Sequence, residues 1–289
     1  MKTYRLIILF ILLCMQWDMH AMHAEELFVV HGFKAPVSIS RHDNRYYISN
    51  LGDRHTPGYI DIADQHMNII HHKFIDNLKA PRGTVVFRGI LYVCDTDNVI
   101  GFDLRTGRQV AVYDFSASGT KALSAIVAVD NRTLLVAAQD INMIFSLNKR
   151  NRRYTPFMQV DTPVDICLDE LKRQLFVASA GNNNRGNGRL GVINLKGRTP
   201  TYTPLSDYTG HIRGIYLFSN LLYFTDWMQS DRPVGELKSI DISTRQVRSI
   251  NHPWMKLNRP GAVVYDFRLR TFYITNQEEN LLYRVSGHD

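Results

Sequence analysis

Three charged residues stand near the beginning of three similar apolar segments, where they could bind a ligand. These residues are Arg82, Asp165 and Arg213. Guanidinium groups form paired hydrogen bonds with carboxylates and phosphates. Charged groups near the centre of a fold must be solvated or paired. The set therefore predicts a polar, partly cationic site for a small molecule that is anionic or carbohydrate-like, or for an acidic peptide of a protein partner.

Four further polar residues recur at a single position of the same segments, and they have two interpretations. They are Asn50, Asp95, Asp226 and Asn276. As ligand-binding residues they would extend the polar site. Alternatively, Asn and Asp side chains at such a position form hydrogen bonds with the backbone of a neighbouring turn.

Three long loops contribute the remaining candidates. They span residues 51–58, 180–189 and 227–235. Asn182 begins an Asn- and Gly-rich run that is either a ligand-binding loop or an ordinary solvated loop. Trp227 offers a large aromatic surface to a ligand, or packs against its own part of the fold. Loops that surround a shared opening commonly carry function, so we expect these loops to border the predicted site.

The elements that position these residues are six copies of one unit. Each copy contains a strand of the type Leu-Tyr-Val-x-Asp, and the last residues of these strands lie 41 to 50 residues apart. A first strand precedes this strand in every copy, and a third strand and a hairpin turn follow it. The six marker segments are Tyr46–Asn50, Leu91–Asp95, Leu134–Ala138, Leu175–Ser179, Leu222–Asp226 and Phe272–Asn276.

Four-stranded units of this length, repeated around an axis, form a propeller. The sequence therefore predicts an all-β fold, a six-bladed β-propeller that occupies residues 25–289. The last unit has too few residues for a fourth strand, whereas an unassigned apolar segment at about 26–30 precedes the first unit. We expect this N-terminal strand to complete the last blade, since an open sheet edge would otherwise remain.

The N-terminus has the pattern of an export signal. Two basic residues within Met1–Arg5 precede the apolar run Leu6–Met15, which is too short to span a bilayer, and Ala24 is a small residue suitable for cleavage. We therefore expect residues 1–24 to be a signal peptide and the mature chain to be periplasmic or extracellular, without a transmembrane segment. The net charge of +7 favours anionic surfaces only weakly, and an exported protein seldom meets nucleic acid. No nucleic-acid partner is therefore expected. Cys94 and Cys167 lie in apolar strands and are expected to be separate thiols.

The segments from Pro81 to Leu104 resemble NHL repeats, and the segment from Leu222 to Trp227 resembles the YWTD type. The whole mature chain resembles exported propellers of the gluconolactonase, senescence-marker and luciferin-regenerating superfamily. That resemblance implies a divalent metal at the axial opening, held by Glu, Asn and Asp residues. The matching positions here hold Val37, Ser124, Val164 and Arg213. Since hard cations need several oxygen ligands, we expect no metal and no other cofactor.

Two kinds of function remain open at this stage. We expect a non-catalytic exported propeller that binds a ligand or a protein partner through the face bearing Arg82, Asp165 and Arg213. The alternative is a metal-dependent lactonase or esterase with a rearranged site built from Asp165, Asp95 and Asp226, the only interpretation that requires a divalent cation. A scaffold role in the cell envelope, using the blade edges and the basic opposite face, is a third possibility.

Overall fold

A computed structural model describes residues 23–181, 186–197, 199–227, 234–250 and 255–288. The predicted signal peptide over 1–24 lies outside the described residues except for its last two positions. Asn182, one of the predicted site residues, also lies outside them.

The described chain forms twenty-four strands and two short 3-10 helices, at Ser116–Ser118 and Gln139–Ile141. In chain order the strands are β1 (His23–Val30), β2 (Pro36–His42), β3 (Arg45–Asn50), β4 (Gly58–Ala63), β5 (Ile69–Leu78), β6 (Pro81–Phe87), β7 (Ile90–Asp95), β8 (Asn98–Asp103), β9 (Gln109–Asp114), β10 (Leu123–Ala128), β11 (Thr133–Ala138), β12 (Met143–Asn148), β13 (Arg153–Gln159), β14 (Pro163–Asp169), β15 (Gln174–Ser179), β16 (Leu190–Asn194), β17 (Tyr202–Pro204), β18 (Ile212–Phe218), β19 (Leu221–Asp226), β20 (Glu236–Asp241), β21 (Val247–Ser249), β22 (Val263–Asp266), β23 (Thr271–Asn276) and β24 (Leu281–His288).

These strands form six antiparallel four-stranded sheets, so the predicted six-bladed β-propeller is confirmed. Blades 1 to 5 each use four consecutive strands, beginning with β2, β6, β10, β14 and β18. The innermost strands contact one another in ring order, and β22 contacts β2. We call β2, β6, β10, β14, β18 and β22 the inner strands.

Blade 6 is completed by the N-terminal strand, as predicted. Its strand order is β1-β24-β23-β22, with Leu27 opposite Val285. The strand extends from His23 to Val30 rather than over 26–30, because His23 and Ala24 continue the pairing on the other side of a bulge. Residues 23–26 are His-Ala-Glu-Glu and have no alternating apolar pattern, so this extension was not visible in the sequence.

The core consists of six apolar layers between neighbouring blades. The second strand of each blade is buried on both faces, whereas outer strands such as β9 are largely exposed. One layer, for example, packs Tyr47 of blade 1 against Leu91 and Val93 of blade 2. Burial of apolar side chains between sheets is the main stabilising contribution to such a ring.

Each blade has two ends, which carry different connections. We call the end where the inner strands begin and the second strands end the upper edge, and it carries the long loops. The opposite, lower edge carries the hairpin turns from the first to the second strand and from the third to the fourth. In the described residues, no helix is long and apolar enough to cross a bilayer.

Candidate functional site

A cavity of about 420 Å³ runs along the ring axis between the inner strands. Arg82, Asp165 and Arg213 all line it, so the structure brings together the three residues that the sequence placed at one site. Trp227 also lines this axial cavity, near the upper edge. The volume lies within the usual range for small-molecule pockets.

Arg82 and Arg213 reach the cavity through the same local structure. Each arginine precedes a glycine, and the ladder to the second strand shifts register across both pairs. Bulges of this kind turn a strand and redirect its side chains. A β-carbon at Gly83 would lie 2.5 Å from Cα of Ala125, and one at Gly214 would lie 2.6 Å from Cα of Ala262. Only glycine therefore allows the next inner strand to pack so closely beside each arginine.

The two arginines come from opposite sides of the ring. Blades 2 and 5 are three positions apart in a circle of six, so Arg82 and Arg213 approach the axis from opposing directions. The Ser49 hydroxyl donates a hydrogen bond to the carbonyl of Arg82 across the blade boundary at 2.6 Å. Thr225 accepts a hydrogen bond from the Gly214 N–H at 2.9 Å and donates one to the carbonyl of Gly261 at 2.6 Å. These hydroxyls fix the backbone on both sides of the cavity.

Neither guanidinium has a carboxylate ion-pair partner within the described part of the chain. Burial lowers the pKa of both groups below its usual value, because desolvation disfavours the charged form. Nε of Arg213 is buried without a hydrogen-bond partner. Two desolvated cations thus face one cavity, and an anion between them would lower the free energy of both.

Trp227 forms one wall beside Arg213. The Arg213 guanidinium carbon lies 3.9 Å from the ring centroid, and the indole N–H donates to the carbonyl of Pro260 at 3.0 Å. The ring therefore packs between blade 5 and blade 6 rather than only against its own blade. Arg259 lies 5.7 Å from the same ring and forms an ion pair with Glu278. Trp227 holds the guanidinium of Arg213 in a fixed orientation.

Asp165 forms part of the cavity wall and joins blade 4 to blade 5. Its carboxylate accepts hydrogen bonds from the N–H groups of Ile215 and Ile166, both at 2.9 Å. Desolvation by the surrounding protein nevertheless raises the pKa of Asp165 to about 7, against the N–H contacts that lower it. This carboxyl group therefore changes charge near neutral pH inside the cavity.

The raised pKa of Asp165 predicts a loss of stability as the pH rises. The folded chain holds this proton up to about pH 7, whereas the usual pKa is 3.8, so protonation favours the folded state. The free energy of unfolding of the wild type should fall, relative to Asp165→Asn, by at least about 1 kcal/mol between about pH 4 and pH 7. Chemical denaturation across this range measures the difference. Asp161→Asn, at an exposed position before the same inner strand, is the control for the substitution itself. A flat difference for Asp165→Asn would contradict the prediction.

The four repeated polar residues lie at the ends of second strands and outside the lining of the cavity. Each forms a hydrogen bond with the backbone of the loop before its inner strand. Asn50 accepts from the N–H of Lys34 at 3.0 Å, and Asn276 donates to the carbonyl of Asn258 at 2.8 Å. The corresponding bonds link Asp95 to the N–H of Ala80 and Asp226 to the N–H of His211. These side chains hold the upper loops on the blades.

The residues of the cavity do not fit the metal that the resemblance implies. Two carboxylate residues of the described chain line the cavity, Asp165 on an inner strand and Glu170 in the hairpin turn that follows it. Both oxygens of Asp165 already accept backbone hydrogen bonds. Asp95 and Asp226 do not line the cavity together with Asp165. Among the described residues, no three His, Cys, Asp or Glu side chains are close enough to hold one metal ion.

Other side chains at this site were not predicted from the sequence. Arg259, Gln139 and Gln277 line the upper part of the cavity, and Arg41 lines it near the lower edge. Arg259 and Gln277 belong to loops and Gln139 begins a short 3-10 helix, and side-chain directions in such segments do not follow strand periodicity. A clearer signal was available for Arg259, since it precedes Pro260 at the start of a repeat.

Comparison with known proteins identifies the fold. No family model matches the sequence, and no curated protein matches it. A gluconolactonase from Xanthomonas campestris has a similar structure, with a TM-score of 0.71 and 10% identity over 94% of this chain and 93% of that chain. An auxiliary nutrient binding protein from Bacteroides thetaiotaomicron has a TM-score of 0.67 and 11% identity over 89% of this chain and 70% of that chain. A chain of a nidogen/laminin complex has a TM-score of 0.57 and 13% identity over 88% of this chain and 92% of that chain.

Likenesses at such low identities establish architecture and leave activity open. The six sheets, the closing N-terminal strand and these superpositions agree on one description. The chain is a six-bladed β-propeller whose fold is similar to that of the gluconolactonase.

Proposed function

We propose that this chain is an exported binding protein that takes a small anionic ligand at the upper end of the axial cavity. The observation that carries the proposal is the pair of guanidiniums, Arg82 and Arg213, which face one cavity from opposite blades without a carboxylate partner among the described residues. Carboxylates and phosphates form strong charge-assisted hydrogen bonds with such groups. The ligand class is a small carboxylate or phosphate, including acidic and phosphorylated sugars.

Two features support binding rather than catalysis. The cavity lacks the set of oxygen ligands that a catalytic divalent metal needs. Asp165, its one carboxyl group on an inner strand near the arginines, is bonded through both oxygens to backbone N–H groups. The similarity to a nutrient binding protein is consistent with a binding role, whereas the similarity to a gluconolactonase is consistent with the hydrolase alternative.

Isothermal titration with matched ligand pairs tests the proposal. Gluconate is compared with glucose, and glucose 6-phosphate with glucose, at low salt and near neutral pH. We expect the anionic member to bind at least about tenfold more tightly, because one additional charge-assisted contact contributes about 1.5 to 3 kcal/mol. Equal binding of the charged and neutral members would contradict the proposal.

An assay for gluconolactone hydrolysis tests the alternative. Proton release is measured with added calcium or zinc, and again with a chelator. Metal-dependent turnover by the purified chain, lost in Asp165→Ala, would replace the binding proposal with a lactonase. A chain that binds gluconate without such turnover supports the binding protein.

A further inference from the structure

The lower edge of the propeller is strongly basic, in contrast to the upper edge. In the described segments between consecutive strands at the lower edge, thirteen Lys and Arg residues stand against four Asp and Glu residues. The corresponding segments at the upper edge carry seven of each. The positive charge of the chain is therefore concentrated on one face.

Two of the four acidic residues of the lower edge form hydrogen bonds with the backbone of their own turns. Asp64 accepts hydrogen bonds from the N–H groups of His66 and Asn68, and Asp130 accepts one from the N–H of Arg132. By contrast, all thirteen basic residues except Lys149 and Arg173 are exposed. Local capping bonds thus hold two of the four carboxylates against the turns while the cations extend from the face.

Apolar side chains also protrude from three neighbouring blades of this face. Leu171 in the first hairpin turn of blade 4 is 94% exposed, and Phe267 in that of blade 6 is 49% exposed. Phe218, at the end of the inner strand of blade 5, is 37% exposed and stacks on Phe267 with ring centroids 5.9 Å apart. Exposed apolar side chains within a basic surface are the composition of interfacial membrane-binding faces.

A groove at the same face offers a place for a phosphate group. Arg41, Arg45 and Arg268 line it together with Phe267 and one carboxylate, Asp43, and Arg41 is also paired with Asp266. Arg268 is oriented by its hydrogen bond to the Asn44 side chain at 2.8 Å. Guanidiniums beside an aromatic ring suit the junction between a lipid headgroup and the acyl region.

We propose that the lower edge of this propeller docks on a bilayer containing anionic phospholipids, with Leu171, Phe218 and Phe267 entering the interface and the turn arginines contacting headgroups. The basic residues occur in turns of five blades around the ring, so the charge complements an extended planar surface better than a single peptide. This inference does not depend on the ligand of the axial cavity.

Co-sedimentation with vesicles tests the docking surface. The full chain is mixed with vesicles of phosphatidylcholine alone or with about one third phosphatidylglycerol. We expect binding only to the anionic vesicles, and loss of most of that binding in about 0.5 M NaCl, because salt screens exposed charges. A chain that stays in the supernatant with anionic vesicles at low salt would overturn the proposal.

Charge-reversal variants distinguish binding through the lower edge from attraction by the net charge of the whole chain. Arg105→Glu/Arg150→Glu/Arg245→Glu changes three exposed turns of the lower edge, and Arg54→Glu/Lys79→Glu/Lys256→Glu makes the same charge change at the upper edge. The first is expected to bind anionic vesicles at least about tenfold more weakly and the second within about twofold of wild type, since each basic residue near the surface contributes about fivefold. Equal losses would mean that net charge alone attracts the chain.

Leu171→Ser separates membrane insertion from recognition of an acidic polypeptide. This exposed change should leave the melting temperature unaltered and weaken vesicle binding about threefold or more, with its salt dependence retained. Unchanged vesicle binding by Leu171→Ser, together with displacement of the chain from vesicles by polyglutamate, would assign the face to an acidic polypeptide and overturn the lipid proposal.

Discussion

Replacing Leu27 with aspartate is expected to lower the melting temperature of the propeller by about 10 °C. Leu27 belongs to the N-terminal strand and packs against the apolar layer between blades 5 and 6, opposite Val285. A carboxylate there removes an apolar contact and places a charge beside buried side chains, at a cost of about 3 to 5 kcal/mol. For a single domain of this size, each kcal/mol shifts the midpoint by about 2 to 4 °C.

The adjacent position provides a matched control for this change. Phe28 belongs to the same strand but is 48% exposed, because its side chain points away from the apolar layer. Phe28→Asp should lower the melting temperature by no more than about 3 °C. Thermal unfolding followed by circular dichroism compares the two variants. If both variants lower the melting temperature equally, or if both melt at the wild-type temperature, closure of the ring through this strand does not stabilise the fold.

Ring closure has this large effect because a propeller is a circular arrangement of layers. Each sheet buries one face against the preceding blade and the other against the next, so a blade that loses its outer strand weakens the layers on both sides. The N-terminal strand also covers the edge of β24, which would otherwise present unpaired backbone groups. A local change in β1 should therefore appear as a loss of global stability.

The architecture could be predicted because it follows from repetition. Apolar positions such as Leu91 and Val93 recur in every copy, and six copies allow few other arrangements. The same register identified Arg82 and Arg213 as cavity residues, since the second position of an inner strand faces the axis when the bulge and its glycine are present. At these two positions the repeated backbone pattern therefore also predicted the direction of the side chain.

Side-chain partners could not be predicted in the same way. Asp95 and Asp165 are both aspartates near the upper ends of strands, yet Asp95 bonds to the loop before its own inner strand and Asp165 lines the cavity. Asp95 ends a second strand, whereas Asp165 lies on an inner strand beside a bulge, and bulges leave no fixed signature in sequence. Arg259 was missed because it lies in a loop and has itself a φ of 39°, so its side-chain direction does not follow strand periodicity.

Replacing Arg82 or Arg213 with methionine is expected to produce opposite effects on binding and on stability. Each change removes a desolvated cation and leaves a side chain of similar length. Since neither guanidinium has a carboxylate partner in the described residues, each variant should gain about 1 kcal/mol in the free energy of unfolding. Each should also bind the anionic ligand about 30-fold or more weakly, because one charged hydrogen-bonding group is lost.

Arg54→Met is the matched control for both measurements. Arg54 is an exposed arginine in an upper loop and does not line the cavity. Its replacement changes the net charge equally, so ligand affinity and stability should stay within about twofold and about 0.5 kcal/mol of wild type. Arg213→Lys adds a second comparison, because it keeps the charge but loses the planar stacking on Trp227. If the methionine variants are less stable and bind gluconate normally, the arginines are structural.

The double variant Arg82→Met/Arg213→Met distinguishes one shared anion site from two separate sites. Opposing guanidiniums that contact the same anion are coupled, since a ligand released from one of them moves and loses contact with the other. The double variant should therefore lose less affinity than the product of the two single losses. Independent sites would give a simple product, and isothermal titration of gluconate against the four proteins of this cycle decides between them. Such coupling would also explain why the same substitutions raise stability and weaken binding. The two desolvated arginines destabilise the free protein, and they are the groups that bind the anion.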